Sequence, residues 1–434
     1  MLLRDTDIER NETLDSYRPI KFLIREDIHS GILLYNTATG GIVHLQGDED
    51  IVSSLHQLVE MKFYVPNDFD EFAWVDKLRQ LETEKTERNI DAYTILTTLD
   101  CNARCFYCYE KGNARVSMSE STANDIANFI IRNAQTGVVQ NIRWFGGEPL
   151  FNEKVIDIIC DKLTHHDVQY RSRMISNGVL FNQNNITKAK NSWNLRKVQI
   201  TLDGTEKVYQ KTKSYINTTG KEFQQVLNNI DALLEAKIQV VIRLNQDLYN
   251  TNDLLCLVEI LSKRFHGKRG LTVYNSLLYT EEGLSKDTSK LRYESFLKLQ
   301  ESIYASKLSK HKKLKKNIKI RHCMADNDSS VMIGPTGKIG KCEHYPNKFL
   351  IGSIYDNVFD TEMMNKWKET FEAKEKCYSC PLYPQCLRIK MCPEEYDHCS
   401  MEQCENKIDL IKLSLIHNFK NHTPGKSTVR QTSI

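Results

Sequence analysis

From Tyr93 onward, strand-like runs alternate with helix-like ones, and no other feature restricts the fold of this chain as strongly. YTILTTLD precedes STANDIANFIIRNA, NIRWFGG precedes EKVIDIICDKL, RSRMISN precedes a short helix, and KVQITLD precedes EFQQVLNNIDALLEAK. QVVIRLN, LLCLVEILSKRF and LTVYNSLLY continue the series. In the helix after Lys221, Phe223, Val226, Leu227, Ile230, Leu233 and Leu234 share one face, the spacing of a helix buried along one side. Serial β/α units imply a parallel sheet with right-handed crossovers, here an α/β fold curved into a partial (β/α)6 TIM-like barrel over residues 91–306. Ligands of such a sheet bind at the C-terminal ends of its strands.

The residues with distinctive chemistry fall at those ends. CNARCFYCYE, residues 101–110, follows the first strand with the spacing C-x₃-C-x₂-C. Structural zinc takes four ligands, so three thiolates either borrow a distant partner or leave one coordination position open. WFGGEP follows the second strand. Gly146 and Gly147 would let a ligand approach the backbone there, and Glu148 offers a carboxylate to an ammonium group. Ser176-Asn177-Gly178 ends the third strand, Asp203-Gly204 ends the fourth, and the fifth carries Arg243 and Asn245. No side chain is marked as a catalytic acid or base.

The chain has 434 residues, 40% hydrophobic and 26% charged, enough for a large core and two to three domains. It opens on the charged stretch MLLRDTDIERNETLD and holds no apolar run of membrane-spanning length, which suggests a cytoplasmic protein without a membrane partner. A formal charge of +3 is too close to neutral to argue for a nucleic-acid partner, which would be expected to meet a more basic protein, and no such partner is expected. The 13 cysteines of so long a chain point to metal ligands rather than disulfides. Cys160 and Cys256 lie in helical patterns and read as small buried hydrophobes, while eight more lie between Cys323 and Cys404. Residues 1–90 form a small module of strands around NTATGG followed by the helices DEDIVSSLHQLVE and FDEFAWVDKLRQLE. The lysine-rich run KLSKHKKLKKNIK predicts a basic linker helix within 307–322, and residues 421–434 read as a disordered tail.

Cys101, Cys105 and Cys108, with Tyr107 before the third cysteine, resemble the C-x₃-C-x-aromatic-C motif of the radical S-adenosylmethionine (radical SAM) superfamily. The resemblance implies that the three thiolates hold a [4Fe-4S] cluster whose fourth iron is chelated by S-adenosyl-L-methionine (SAM). It also implies that Tyr107 lies against adenine, that Gly146, Gly147 and Glu148 bind the methionyl amine, and that Ser176 and Asn177 contact SAM. Arg243 would meet the SAM carboxylate, and Asp203 joins the cofactor-binding set.

The C-terminal cysteines resemble the SPASM extension of that superfamily over residues 323–420. Cys323 runs through Gly337 to Cys342, and Cys377, Cys380 and Cys386 match the next spacings, but five residues rather than the usual three separate Cys386 from Cys392. By this resemblance Cys323, Cys342 and Cys392, with Cys399 a candidate fourth ligand, hold one auxiliary [4Fe-4S] cluster. Cys377, Cys380, Cys386 and Cys404 hold the second, and Cys399 and Cys404 remain interchangeable.

Residues 1–90 resemble the winged-helix leader-recognition element of peptide-modifying enzymes. Together these likenesses imply an oxidoreductase with three [4Fe-4S] clusters that modifies a ribosomally made precursor peptide, forming a thioether or carbon–carbon cross-link. Its partners would be the precursor with its leader and an electron donor such as flavodoxin or ferredoxin. An anaerobic sulfatase-type maturase making formylglycine, a peptide epimerase, and a zinc-stabilised non-catalytic binding scaffold are the alternatives.

Overall fold

The computed structural model describes residues 14–84, 89–112, 114–278, 286–309, 323–356, 358–386, 389–392 and 401–422. Cys399, the stretch 310–322 and the tail from 423 lie outside the described residues, as does the side chain of Cys404. The chain divides into two compact units: Met1–Thr86 with His311–His322 and Thr370–Ile434, and Glu87–Lys310 with Cys323–Glu369.

In the first unit, β2 (Leu23–Ile28), β3 (Gly31–Asn36) and β4 (Ile42–Leu45) form an antiparallel sheet in chain order, and β1 (Tyr17–Pro19) pairs with β5 (Tyr64–Pro66). Nearly all of β3 is buried, so both faces of its pleat are covered. Ile32 and Leu34 pack with Ile51, Leu55 and Leu58, whereas Leu33 and Tyr35 pack with Ile24, Leu382 and Leu415. The stretch 49–60 reads as one helix in sequence but breaks at Ser54 into Glu49–Ser53 and Leu55–Glu60.

Leu415 belongs to the helix Met401–His422, which therefore covers one face of the N-terminal sheet. The side chain of Gln385 donates to Tyr35 Oη at 2.9 Å and to the Thr37 carbonyl at 2.7 Å, and Arg79 donates to the Tyr383 carbonyl at 2.7 Å. This corrects the expectation of one domain over 323–420, because residues from Thr370 onward fold with the N-terminal module. It also places Asn421 and His422 in a helix rather than in the expected tail.

In the second unit, β6 (Ala92–Thr98), β7 (Gln140–Gly146), β8 (Tyr170–Ser176), β9 (Leu195–Leu202), β10 (Gln239–Gln246) and β11 (Leu271–Leu277) lie parallel in chain order. This is the arrangement that the β/α series requires. The sheet then continues beyond β6. β12 (Ser330–Ile333) pairs with β6 in parallel, and β13 (Lys338–Gly340) and β14 (Gly352–Ser353) follow antiparallel, which ties 323–369 to this unit.

The helix Lys286–Ala305 stops before the lysine-rich run. Lys307 takes a left-handed φ of 57°, and the Leu308 carbonyl accepts from Val273 N–H at 3.0 Å along the edge of β11, so the expected basic helix does not begin at 307. Cys160 is buried as expected, but Cys256 is exposed. On the helix Thr251–Phe265 the buried stripe runs through Leu254, Leu257, Val258 and Leu261 and leaves Cys256 outside. Among the described residues no helix is long and apolar enough to cross a membrane.

Candidate functional site

The loop after β6 is held from two sides. Gly147 N–H donates to the Thr98 carbonyl and Glu148 N–H to the Asp100 carbonyl, both at 3.0 Å. A Cβ on Gly147 would stand 2.2 Å from the Asp100 oxygen, and one on Gly146 would stand 2.1 Å from the Thr98 oxygen. These glycines are therefore required first by the close approach of the chain's own cysteine-bearing backbone, whereas the sequence suggests room for a ligand. On the other side, Arg104 N–H donates to the Lys213 carbonyl at 2.8 Å and Ile216 N–H to the Asn102 carbonyl at 2.8 Å.

Cys101, Cys105 and Cys108 are partly buried free thiols. Burial, followed by the nearby Glu148 and the other two cysteines, pushes the Cys101 thiol up to about 12. Burial likewise raises Cys108. Among the described residues no set of three His, Cys, Asp or Glu side chains stands close enough to hold a metal ion. As a donor set, three cysteines on one short loop at a strand end fit a cluster with one open position.

Glu148 is fully buried. It accepts from Ser176 Oγ at 2.8 Å, Asn177 N–H at 2.7 Å and Leu150 N–H at 3.2 Å. Burial outweighs these bonds and pushes its carboxyl up to about 7. Asn177 reaches back to the cysteine loop, donating to Asn102 Oδ1 at 2.7 Å and approaching Cys101 Sγ at 3.8 Å. The strand-end groups of β7 and β8 thus form one hydrogen-bonded set with the loop after β6.

A second set lies across β9 and β10. Tyr107 Oη donates to Asp203 Oδ1 at 2.7 Å, and Asn245 Nδ2 donates to Tyr107 Oη at 2.9 Å and to Asp203 Oδ1 at 3.0 Å. Lys213 Nζ stands 3.0 Å from Asp203 Oδ2, both side chains being 2% exposed. It also donates to Thr201 Oγ1 at 2.7 Å and to Tyr107 Oη at 3.1 Å. Burial is the largest single influence and would lower the Lys213 ammonium, but Asp203, followed by Tyr107, Cys105 and Tyr209, together outweigh it and raise the group well above its ordinary value. Arg243 stands in register with Thr201 and Tyr274, and its buried Nε has no hydrogen-bond partner among the described residues.

Lys213 is the residue that the sequence does not flag. It ends the helix Glu206–Lys213, whose buried residues are Tyr209 and Lys213 alone, so no apolar stripe announces either the helix or its role. The single usable signal is Thr205 opening a polar run directly after Asp203-Gly204.

The C-terminal cysteines divide between the units. Cys323 and Cys342 belong to the second, and Cys377, Cys380, Cys386 and Cys392 to the first. Tight turns carry the latter: Cys380 N–H donates to the Cys377 carbonyl at 3.2 Å and Cys392 N–H to the Ile389 carbonyl at 3.1 Å. Ile389, inside the unusual five-residue interval, is buried and bridges antiparallel to Thr370.

Residues 95–246 match the model of the Radical SAM superfamily. A GTP 3',8-cyclase of Clostridium perfringens is 26% identical over 315 residues, covering 68% of this chain and 93% of that protein. A GTP 3',8-cyclase of Clostridium acetobutylicum is 29% identical over 159 residues, covering 36% of this chain and 48% of its own length. Among solved structures, native anSMEcpe with bound AdoMet superposes with a TM-score of 0.55 at 13% identity, covering 76% of this chain and 100% of that one. Native anSMEcpe with bound AdoMet and Cp18Cys peptide superposes at 0.54 and 14% identity, covering 76% and 99%. Likeness at these identities is one of fold. The parallel sheet, the three-cysteine loop at its first strand end and the family match coincide, and this chain carries a radical SAM domain over residues 95–246.

Proposed function

We propose that this protein is a SPASM-type peptide maturase that forms a thioether or carbon–carbon cross-link in a ribosomally made precursor. The observation that carries the reading is the module that precedes the radical SAM domain in sequence, whose three-stranded antiparallel sheet has β2 and β4 as its edges. An extended leader can add to such an edge through main-chain hydrogen bonds, which tolerate varied sequences, while side-chain pockets select among them. The fold likeness to anSMEcpe, solved with AdoMet and the Cp18Cys peptide, supports a peptide substrate.

Cys101, Cys105 and Cys108 would hold a [4Fe-4S] cluster with SAM at its open position, supplying reductive cleavage of SAM to methionine and a 5′-deoxyadenosyl radical. Glu148, kept from full ionisation by burial, would accept the methionyl ammonium, whose charge restores the carboxylate. Ser176 and Asn177 hold that carboxylate in place. Gly146 and Gly147 keep β7 close to the cysteine loop, and Arg243 would offer its unpartnered Nε to the SAM carboxylate. Asp203, Lys213 and Asn245 fix Tyr107, which would lie against adenine. Cys323, Cys342, Cys377, Cys380, Cys386, Cys392, Cys399 and Cys404 are the proposed ligands of two auxiliary [4Fe-4S] clusters, with flavodoxin or ferredoxin as electron donor.

The test is to search the neighbourhood of the gene for a short reading frame with a leader and core, and to incubate the encoded peptide anaerobically with the reconstituted protein, SAM and a reductant. The expected result is 5′-deoxyadenosine together with a peptide lighter by about 2 Da per cross-link. An unchanged mass carrying one solvent deuterium would instead identify an epimerase. The likeness to GTP 3',8-cyclases favours a second reading, a nucleotide substrate, and GTP consumption without any peptide would establish it.

A further inference from the structure

The pleat of the parallel sheet sorts its residues by face. In β7, β8 and β9 the alternation that buries Ile142, Trp144, Met174 and Val198 turns Arg143, Arg173 and Lys197 to the opposite face. Register places Arg143 beside Arg173 and Arg173 beside Lys197, a row of three cations on adjacent strands. This is the face of the functional site. Phe145 and Ile175, two residues farther along β7 and β8, pack with Leu96 and Leu99, which immediately precede the cysteine loop. Arg143 and Arg173 each stand three residues before the strand-end groups Gly146 and Ser176, roughly 10 Å at the rise of an extended chain.

Like charges at neighbouring cross-strand positions repel, so such a row calls for an anion. The chain supplies one at one end: Glu343 meets Arg143 at 3.5 Å. Among the described residues, Arg173 and Lys197 have neither a hydrogen bond nor an ion pair. Burial, with Arg143 and Arg171 alongside, pulls the Arg173 guanidinium down to about 10, and the more distant attraction of Glu343 offsets only part of this. Glu343 shows that a carboxylate suits the row, and the other end is left for a carboxylate brought from outside.

We propose that Arg173 and Lys197, continuing the row from Arg143, bind an Asp or Glu side chain of the peptide presented to the barrel. The inference rests on the peptide-modifying reading above and adds that the modified segment is acidic. Planar guanidinium and carboxylate groups pair through two parallel hydrogen bonds, so Arg173 sets orientation while Lys197 adds charge.

The experiment uses the full-length reconstituted protein with SAM, and fluorescence anisotropy of a labelled peptide of alternating Glu and Ser against its Gln counterpart. The Glu peptide should bind about tenfold tighter, the R173Q/K197Q variant should lose about that factor for the Glu peptide alone, and R173K should retain most of it. Equal binding of the two peptides, or full Glu-peptide affinity in R173Q/K197Q, would overturn the proposal. Should that variant not fold, protection of Lys197 from acetylation by the Glu peptide in the unaltered protein serves instead, and no protection is equally fatal. If these fail while the precursor still loses about 2 Da, the maturase reading stands alone. Displacement of the Glu peptide by GTP at lower concentration than by unlabelled peptide would assign the row to phosphate and remove both.

Discussion

Lys213 and Asp203 form an ion pair almost wholly removed from water, 3.0 Å apart. Desolvating two charges is costly, and their attraction repays it only when the remaining donors and acceptors are satisfied. Here Thr201, Tyr107 and Asn245 do so. Removing one partner strands the other as a buried charge. Lys213→Met is therefore expected to cost about 3–5 kcal/mol in urea unfolding of the metal-free protein. Lys213→Met combined with Asp203→Leu should recover much of that loss, since neither charge is then left alone. A double variant as unstable as the sum of its singles would show that the pair acts independently of its burial.

At the scale of one element, the helix Glu222–Glu235 starts on a carboxylate that its own entrance holds. Glu222 accepts from Thr219 N–H at 2.6 Å and from the hydroxyls of Thr219 and Thr218 at 3.0 Å. Burial opposes its ionisation, but these bonds outweigh it and hold the carboxyl at about 2, below the ordinary 4.5. A carboxyl with a depressed folded value stabilises fully above its unfolded value and loses that contribution as pH falls. Glu222→Gln should thus lower stability by about 1–2 kcal/mol at neutral pH, a figure discounted for solvent screening at a helix entrance. The gap to the unaltered protein should close between pH 4.5 and about 2, as followed by thermal melts across that range. A gap independent of pH would assign the effect to packing rather than charge.

At the scale of the whole molecule, the two ends of the chain share a core. Leu33 is fully buried in the cluster of Ile24, Tyr35, Leu382 and Leu415. Leu33→Ala should cost about 2–5 kcal/mol through lost burial and the cavity it leaves. Because that cluster joins the N-terminal sheet to the C-terminal helix, hydrogen exchange should accelerate together in β2–β4 and in Met401–His422. The strands β6–β11, which belong to the other unit, should keep their protection. Acceleration in the sheet alone would mean that the helix opens independently of the surface it covers.

What the sequence by itself determined is what repeats over a few residues. The strands β6 to β11 and the helix Glu222–Glu235 were legible because alternation and 3.6-residue spacing are local consequences of burying one face. The three-cysteine loop was legible because its cysteines lie within eight residues, Cys101 to Cys108. Tertiary structure alone decided the rest. Lys213 meets Tyr107 across 106 residues, and β12 joins β6 although no local pattern marks the two as neighbours. The same holds for the Arg143–Arg173–Lys197 row, since strand register determines which cations become neighbours. It holds too for the C-terminal helix, which its likeness to a known extension assigns to one domain and its buried Leu415 assigns to another. Distant pairings are chosen by the burial they gain against the entropy of closing a long loop, and that balance leaves no periodic trace in the chain.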